Sequence, residues 1–288
     1  MSKLSHSQNF FKNQSTVTKL VELSSISNKD VVYEVGPGKG IITQELKKLA
    51  SKVVAIELDD RLFNDLKHKF EGEANVDIVK QDFLEFQLPQ TGNYKFFSNI
   101  PFNITAAIVK KLLLDKNPPS ESYLIIQKEA AMKFSGKPYT SEGLLSLLLK
   151  VNFDFEIIQS ISKFDFEPTP NVEIVFLKII KKKSPLVRGN DMSVYRDLLA
   201  YVFMQWEPDL KSSLRKIFTN IQFKKLAQSI KFPISVKAGD LTINQWVGVF
   251  NYFNSVGVDD SKKGIIFGSM KKIEKQQAGL DKVHRTRE

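Results

Sequence analysis

The spacing of hydrophobic positions alternates between two patterns up to about residue 180. Short, mostly apolar runs predict strands, and apolar residues three and four apart predict amphipathic helices. Strands are predicted at 31–35, 53–57, 76–80, 94–98, 122–127, 151–158 and 172–180, and helices at 16–26, 41–50, 60–70, 104–114 and 128–135. This alternation favours a doubly wound, mostly parallel α/β sheet, with the last two strands as an antiparallel edge.

The pattern changes after residue 180. A charged, proline-marked joint at 181–185 is followed by amphipathic helical patterns at 192–206, 208–218, 221–230 and 242–255. Large apolar residues of these segments, Trp206 among them, are predicted to form a core. We therefore expect three parts: an α/β domain at 1–180, a smaller all-helical domain at 181–257, and a basic, flexible tail at 258–288.

Composition narrows the possible chemistry. The chain has 288 residues, 42% of them hydrophobic and 26% charged, with three histidines and no cysteine. Without cysteine there are no disulfides or thiolate metal sites, and the scattered histidines support neither a zinc cluster nor a catalytic triad. No apolar stretch is long enough for a membrane span, and no export signal is recognisable at the start. We expect a cytoplasmic protein that needs no metal.

The net charge of +10 is concentrated in the last third of the chain. Residues 1–180 contain 22 Lys and Arg against 22 Asp and Glu, whereas residues 181–288 contain 20 against 10. A basic region beside a neutral one is typical of enzymes that bind nucleic acid through phosphates. The candidate phosphate contacts are Lys211, Arg215, Lys216, Lys224 and Lys225.

A glycine-rich turn follows the first predicted strand of the sheet. Glu34-Val35-Gly36-Pro37-Gly38-Lys39-Gly40 leads from that strand into a helical pattern. Glycines such as Gly36 and Gly38 permit positive φ and a close approach of ligand to backbone. The spacing matches neither a dinucleotide fingerprint nor a P-loop, so a cofactor without phosphates suits this turn.

Acidic residues follow the next two strands. Glu57 ends the second strand, about twenty residues after the turn, where a carboxylate can bind both hydroxyls of a ribose. Asp82-Phe83 follows the third strand, and its carboxylate and ring are suited to the edge and face of an adenine. Together with the glycine turn, this ordered set predicts binding of S-adenosylmethionine.

The tetrapeptide Asn99-Ile100-Pro101-Phe102 follows the fourth strand. Its Asn side-chain oxygen and Ile carbonyl are two acceptors for the hydrogens of an exocyclic amine, a poor nucleophile that becomes more reactive when its nitrogen is pyramidal. Proline fixes φ and donates no hydrogen bond, and Phe102 offers a face for a flipped base. This corner predicts methylation of a base amine by direct in-line transfer, without a covalent enzyme intermediate and without an evident general base.

With these motifs, the chain resembles the rRNA adenine N6-methyltransferase family, from His6 to about residue 255. The resemblance implies a Rossmann-like class I methyltransferase fold. The closer likeness is to the erythromycin-resistance branch, which acts on 23S rRNA. The segments that carry the likeness are His6-Ser7-Gln8-Asn9-Phe10, the glycine turn, Glu57, Asp82-Phe83-Leu84, the Asn99 corner, Phe166-Glu167-Pro168-Thr169-Pro170-Asn171-Val172, and, for the branch, Arg215-Lys216-Ile217-Phe218-Thr219-Asn220-Ile221-Gln222-Phe223.

The resemblance also implies roles for residues that the spacing alone does not assign. Asn9 and Phe11 would line the cofactor pocket, Asn99 would lie beside both cofactor and base, and Phe166 would close on the base opposite Phe102. The implied partner is rRNA, most readily 23S rRNA before or during ribosome assembly, methylated by a monomer. Resistance to macrolide, lincosamide and streptogramin B antibiotics follows as a hypothesis. Phe102 departs from the tyrosine frequent at its position, and residues past 255 extend beyond the resemblance.

Other readings remain open at this point. The housekeeping branch of the family, which dimethylates 16S rRNA adenines, shares the catalytic motifs. A DNA adenine methyltransferase, a small-molecule N-methyltransferase and a non-catalytic RNA-binding or transcription partner are less consistent with the intact Asn99 corner and the basic last third. The sequence does not distinguish monomethylation from dimethylation.

Overall fold

The structure is a computed structural model that describes residues 9–189, 191–255 and 260–276. Its strands are β1 (Phe10–Phe11), β2 (Val31–Val35), β3 (Lys52–Glu57), β4 (Val76–Lys80), β5 (Lys95–Asn99), β6 (Glu121–Gln127), β7 (Phe153–Ile161), β8 (Phe166–Glu167) and β9 (Ile174–Lys181). Its helices are α1 (Gln14–Glu22), α2 (Ile41–Leu49), α3 (Asp60–Lys69), α4 (Thr105–Leu114), α5 (Lys128–Ser135), α6 (Leu144–Lys150), α7 (Asp191–Phe203), α8 (Leu210–Leu214), α9 (Asn220–Ser229), α10 (Ile243–Ser255) and α11 (Asp260–Ile266). Within the described ranges, no helix has the length and apolar character needed to cross a membrane.

Seven strands form one mixed sheet in the order β4-β3-β2-β5-β6-β9-β7. The pairs from β4 to β6 are parallel, and β9 and β7 add the antiparallel edge that the sequence predicts. The chain builds outward from β2 to one side and then returns to place β5 on the other side. Strand order therefore reverses between β2 and β5, and in open α/β sheets ligands bind at the carboxyl ends of the strands at such a point.

One face of this sheet is covered by α1 and α2. Their inward residues, such as Leu20 and Leu46, pack with every second residue of the strands, such as Val32, Phe97 and Phe176. The two-residue alternation of the strands and the three-to-four spacing of the helices bring these positions together. Burial of this apolar surface fixes the sheet, and with it the strand ends that carry the predicted motifs.

The chain divides into two compact units, and the division is discontinuous. The first unit contains residues 1–132 and 153–182, and the second contains 133–152 and 183–288. The boundary near 182 is close to the expected joint at 180. The sequence did not predict that 133–152, which includes α6, groups with the C-terminal unit. Helix α6 joins that unit because Leu147 and Val151 belong to its hydrophobic core.

The second unit is helical, as expected, with a core of large side chains that includes Tyr195, Trp246, Phe250 and Phe253. Trp206, which the apolar pattern assigns to this core, is instead fully exposed at 103% of its reference area. A periodic pattern fixes spacing but not where a helix ends, and α7 ends three residues earlier, at Phe203.

The flexible tail predicted for 258–288 is folded in the part that the structure describes. Residues 260–266 and 269–276 are helical. Asp197 on α7 accepts hydrogen bonds from the backbone N–H groups of Gly268 and Met270, both at 2.9 Å, and Ile266 is buried. These residues of the predicted tail are therefore helical and contact the helical unit, and 258–259 and 277–288 lie outside the described ranges.

Candidate active site

The carboxyl ends of β2 and β5 meet at the point where strand order reverses. The Ser98 hydroxyl on β5 donates a 2.5 Å hydrogen bond to the Val35 carbonyl on β2, and both residues are buried. This contact fixes the residue that follows each of them, Gly36 on one strand and Asn99 on the other. Val35 and Ser98 are 63 positions apart in the chain. The glycine turn and the Asn99 corner, which follow them, are therefore neighbours in the fold.

The backbone of the Asn99 corner is held on both sides. Ile100 donates its N–H to the Ile125 carbonyl at 3.1 Å, and the Pro101 carbonyl accepts from the Ile104 N–H at 3.2 Å. The Asn99 side-chain nitrogen donates to the Asn9 carbonyl at 2.8 Å. This contact fixes the orientation of the Asn99 amide, whose side-chain oxygen is its acceptor atom.

A narrow pocket opens at this corner. It is lined by Asn9, Phe10, Gly36, Asn99, Ile100, Pro101 and Phe102. Six of these seven are residues that the sequence assigns to the site. The structure thus brings the N-terminal segment, the first glycine of the turn and the corner around one cavity, with Phe102 half-buried at its side.

Phe10 is the member of this pocket that the sequence analysis did not assign. Its ring lies against the glycine turn, because a Cβ atom built on Gly38 would lie 2.7 Å from the ring. Lys39 places its ammonium group 5.6 Å from the centroid of the same ring. Gly38 has φ of +58°, so both its backbone conformation and its contact with Phe10 require glycine.

Glu57 lies beneath this turn with 2% of its surface exposed. Its carboxylate accepts from the backbone N–H groups of Gly38 at 3.2 Å, Leu58 at 2.8 Å and Asp59 at 2.9 Å. Three donors compensate the buried charge and leave lone pairs available, because a carboxylate has about four acceptor sites. This fits the hydroxyl pair of a ribose.

A groove of about 530 Å³ runs beside the turn, lined by Phe10, Gly38, Lys39, Asp59, Arg61, Leu62, Asp65, Leu66 and Lys69. It shares Phe10 with the narrow pocket. A nucleoside with an amino-acid end has a suitable size for this groove, and its polar and charged lining suits such a ligand. Of the residues predicted to bind the cofactor, Gly38 lines this groove, and Glu57 accepts a hydrogen bond from its backbone N–H.

Phe83 differs from its expected role. Its side chain is only 4% exposed and packs against Phe96 and Phe86, with centroid distances of 5.8 and 6.4 Å. The ring is part of the core and does not offer an open face to an adenine. Asp82 is half-buried and accepts from the Leu84 N–H at 2.8 Å, which holds the loop beyond β4 in place.

Phe11 and Phe166 also differ from their expected roles. They face each other across the pairing of β1 with β8, with ring centroids 4.2 Å apart, and they are 4% and 0% exposed. Both belong to the core under α1 and α2, because their strand neighbours Phe10 and Glu167 take the opposite faces. Phe166 therefore has no surface available to a base here, whereas Phe164 is 67% exposed.

Asp165 positions the N-terminal segment, a role that the sequence analysis missed. Its carboxylate accepts from the Asn13 side chain at 2.8 Å and from the Thr16 hydroxyl at 3.0 Å, and its carbonyl accepts from the Lys12 N–H at 2.9 Å. Asn13 in turn caps α1. The segment carrying Asn9 is thus tied to the loop before β8, a long-range relationship with no local signal.

A second buried carboxyl lies behind the turn. Glu34 is 1% exposed, and burial raises its pKa to about 8, an effect that Glu57 increases and the Thr43 hydrogen bond opposes. The Thr43 hydroxyl donates to Glu34 at 2.6 Å. Burial therefore favours the protonated form of Glu34 over the charged one.

The five residues expected to contact RNA all lie in the helical unit. Arg215, Lys216, Lys224 and Lys225 are exposed, and Lys211 is partly exposed. Arg215 forms a 3.2 Å ion pair with Glu207. Their role in RNA binding remains a prediction from the sequence.

The sheet order, the glycine turn at the reversal point and the acidic end of β3 define the fold class. The fold is that of Rossmann-like class I methyltransferases, with a helical C-terminal unit.

Comparison with known proteins identifies the family. The chain belongs to the ribosomal RNA adenine dimethylase family, whose profile matches residues 2–255. It is 33% identical over 247 residues to an rRNA adenine N-6-methyltransferase of Bacillus licheniformis, covering 85% of this chain and 84% of the relative. It is 29% identical over 247 residues to ribosomal RNA small subunit methyltransferase A of Mycoplasmopsis pulmonis, covering 84% and 95%.

Solved structures share the fold. The crystal structure of 23S rRNA methyltransferase ErmE superposes with a TM-score of 0.79 at 24% identity, covering 86% of this chain and all of that one. A dimethyladenosine transferase from Plasmodium falciparum gives 0.69 at 22% identity, covering 86% and 98%. The protein is an rRNA adenine N6-methyltransferase.

Proposed function

We propose that this enzyme transfers methyl groups from S-adenosylmethionine to N6 of an adenine in 23S rRNA. The observation that carries the proposal is the pocket in which Asn99, Ile100 and Phe102 meet the start of the glycine turn at Gly36. Phe10 lines both this pocket and the groove beside the glycine turn, whose Gly38 N–H donates to Glu57. Acceptors for an amine and a site for a nucleoside cofactor therefore lie side by side.

The residues of the corner hold the base. The Asn99 oxygen and the Ile100 carbonyl accept the two hydrogens of the adenine amine, which favours a pyramidal nitrogen with its lone pair directed outward. The partly exposed ring of Phe102 stacks on the base once it has left its helix. Because Asn99 is fixed by Asn9, and the backbone of the corner by Ile125, these acceptors are positioned before substrate arrives.

The cofactor supplies a methyl group already activated on a sulfonium. Around it, Glu57 would bind the ribose hydroxyls, Asp82 would offer a carboxylate to the nucleoside, and Gly36 and Gly38 would let the backbone approach the amino-acid end. The half-buried pocket limits access of water to the reacting atoms. The proton leaving the amine goes to solvent.

The support for 23S rRNA as the target is the segment 215–223, which resembles the erythromycin-resistance branch. The relatives at 33% identity from Bacillus licheniformis and Bacillus anthracis are named rRNA adenine N-6-methyltransferase, which specifies the base and the atom but not the RNA. Under this proposal the enzyme is a cytoplasmic monomer that acts before or during ribosome assembly. Methylation of the drug site then confers resistance to macrolides, lincosamides and streptogramin B.

A second target has its own support. The match to ribosomal RNA small subunit methyltransferase A covers 95% of that relative, at 29% identity. The same pocket is suited to either RNA, because the corner recognises the adenine amine and not its surroundings. Dimethylation of 16S rRNA in small-subunit maturation is therefore the alternative.

The test is transfer of labelled methyl to protein-free 23S rRNA and, in parallel, to 30S subunits lacking the modification. Label on an adenine of 23S rRNA alone supports the proposal, and label on the 30S particle alone supports the alternative. Nuclease digestion and mass spectrometry then separate N6-methyladenine from the dimethylated base. Asn99→Ala is the inactive control for both reactions.

Expression in a macrolide-sensitive bacterium tests the resistance role. We expect the intact protein to raise the inhibitory concentration of erythromycin and Asn99→Ala to leave it unchanged. Unchanged susceptibility together with methylated 23S rRNA in the same cells would exclude resistance while leaving the 23S target in place.

A further inference from the structure

The most exposed large apolar side chain in the described part of the chain is Trp206, which lies in the loop between α7 and α8. It is 103% exposed, whereas the other tryptophan, Trp246, is completely buried. Tryptophan is highly buried on average in folded proteins, because its large apolar surface favours burial. Packing of the helical unit therefore gives no reason for an indole at position 206.

The backbone around Trp206 is well held. On one side, the Gln205 side chain donates to the carbonyls of Tyr201 at 3.0 Å and Ser213 at 3.2 Å. On the other side, Asp209 caps α8 by accepting from the Ser212 N–H at 2.7 Å. The indole is thus presented to solvent by a fixed loop, which reduces the entropy lost when a ligand binds to it.

One lysine beside the loop is available to a phosphate. The two acidic residues of the loop are already engaged, Glu207 with Arg215 at 3.2 Å and Asp209 as the helix cap. Lys237 is exposed and forms no ion pair within the described residues. Lys237 also lines a shallow groove that contains Trp206.

The surroundings do not suit a protein partner. Large contiguous apolar patches mark protein-interaction sites, whereas Trp206 stands in a groove that mixes apolar residues with Gln205, Glu207, Asp209, Ser213 and Lys237. An exposed aromatic ring with a lysine beside it is instead an arrangement with which proteins hold single-stranded nucleic acid, where a base stacks on the ring and a lysine contacts a phosphate.

We propose that Trp206 is a stacking platform for an unpaired base of the substrate RNA, with Lys237 contacting a flanking phosphate. This rests on the proposed function only in that RNA is the substrate, and it applies to 23S and 16S targets alike. Trp206 is a binding residue and takes no part in methyl transfer.

The two tryptophans provide a direct test. In the full-length protein, RNA that stacks on Trp206 quenches its fluorescence, while buried Trp246 is shielded. Protein-free 23S rRNA, protein-free 16S rRNA and a short single-stranded oligoribonucleotide are titrated separately into the unaltered protein and into Trp206→Phe, which retains only Trp246. We expect saturable quenching in the unaltered protein and little in Trp206→Phe, and duplex RNA should quench less than the single strand.

Affinity and kinetics complete the test. Trp206→Ala should weaken binding of the oligoribonucleotide by about five-fold to a hundred-fold, since loss of stacking on an aromatic ring has about that effect. It should raise KM for RNA and leave kcat and the affinity for S-adenosylmethionine unchanged. Ile221→Ala removes another exposed apolar side chain of the same unit, 69% exposed, and should change RNA affinity less than two-fold.

Unchanged RNA affinity in Trp206→Ala, with no quenching of the unaltered protein, would overturn the proposal. A dimer in sedimentation that dissociates in Trp206→Ala without any effect on RNA binding would also overturn it in favour of self-association. Thermal unfolding midpoints within a degree or two of the unaltered protein show that the variant folds. If neither rRNA is methylated but RNA still quenches Trp206, the proposed methylation target is wrong and the stacking role of Trp206 is supported.

Discussion

The side-chain amide of Asn99 donates a 2.8 Å hydrogen bond to the backbone carbonyl of Asn9, 90 positions earlier in the chain. This contact fixes the orientation of the amide, whose oxygen is the acceptor proposed for the substrate amine. It also joins the N-terminal segment to the corner after β5. One hydrogen bond thereby links the orientation of the Asn99 side chain to the placement of Asn9 in the same pocket.

Replacing Asn99 tests this arrangement. Asn99→Ala removes the acceptor, and Asn99→Asp cannot donate to the Asn9 carbonyl. We expect kcat for methyl transfer to fall about a hundred-fold or more in both, the scale seen when one positioned hydrogen-bonding group is removed from an active site. Single-turnover transfer of labelled methyl at saturating RNA measures it. Full activity in Asn99→Asp would contradict the role of the Asn9 contact.

Gly38→Ala should affect both folding and the cofactor. Gly38 has φ of +58°, and its added Cβ would lie 2.7 Å from the Phe10 ring. Gly72→Ala is the matched control, because Gly72 has φ of +80° but its added Cβ meets nothing within 4 Å. We expect Gly72→Ala to cost about 1–2 kcal/mol from backbone strain alone.

Overpacking against Phe10 should make Gly38→Ala worse by at least about 1 kcal/mol. It should also weaken binding of S-adenosylmethionine, which Gly72→Ala leaves unchanged. Urea unfolding and calorimetric titration measure the two effects. The double variant Phe10→Ala, Gly38→Ala should regain the overpacking part of the stability loss, and equal losses in the two single variants would rule out the Phe10 contact.

Phe166 and Phe164 should respond differently to truncation. Phe166 is fully buried, with its ring centroid 4.2 Å from that of Phe11, so Phe166→Ala should destabilise the fold by about 3–5 kcal/mol. Phe164 is 67% exposed, and Phe164→Ala should change stability by less than about 0.5 kcal/mol. Chemical unfolding measures both. A small stability change but a large loss of kcat in Phe166→Ala would instead favour a direct contact with the base.

Buried Glu34 should make stability depend on pH. Burial raises its folded-state pKa from 4.5 to about 8, so the folded state holds a proton that the unfolded state has lost between these values. The sign of the linkage is that stability falls as pH rises through this window, by up to about 1.4 kcal/mol per pH unit from this group.

Glu34→Gln keeps the shape and the hydrogen bond with Thr43 but cannot ionise. We expect its unfolding free energy to be less sensitive to pH between 6 and 8.5 than that of the unaltered protein, and higher at pH 8.5. Denaturant titrations at several pH values measure the difference. Parallel pH profiles for the two proteins would show that Glu34 does not titrate in this range.

The sequence predicts most of the sheet because its signals are local. The apolar runs place β2 to β7 and β9 within about three residues of their observed bounds. The motifs fall at strand ends, and parallel strands bring their carboxyl ends to one edge. The prediction that Gly36 and the Asn99 corner share a site therefore follows from chain order, and the Ser98 contact with Val35 confirms their proximity.

The tertiary structure alone decided which aromatic ring faces which way. Phe10 and Phe11 are adjacent in a two-residue strand, and composition does not reveal which of them points into the core. The pairing of Phe11 with Phe166 buries those two rings and turns Phe10 to the pocket. Extended neighbours point to opposite sides, so the choice depends on the strand opposite, which is more than 150 residues away.

What the sequence by itself determined is the class of fold, the order of its motifs and the chemistry of the corner, because periodicity, glycine and proline constrain the backbone near their own positions. What only the tertiary structure decided is the surroundings of single side chains: buried Phe166 and Phe83, exposed Trp206, and the grouping of 133–152 with the helical unit. These depend on contacts between distant segments, and no local pattern encodes such contacts.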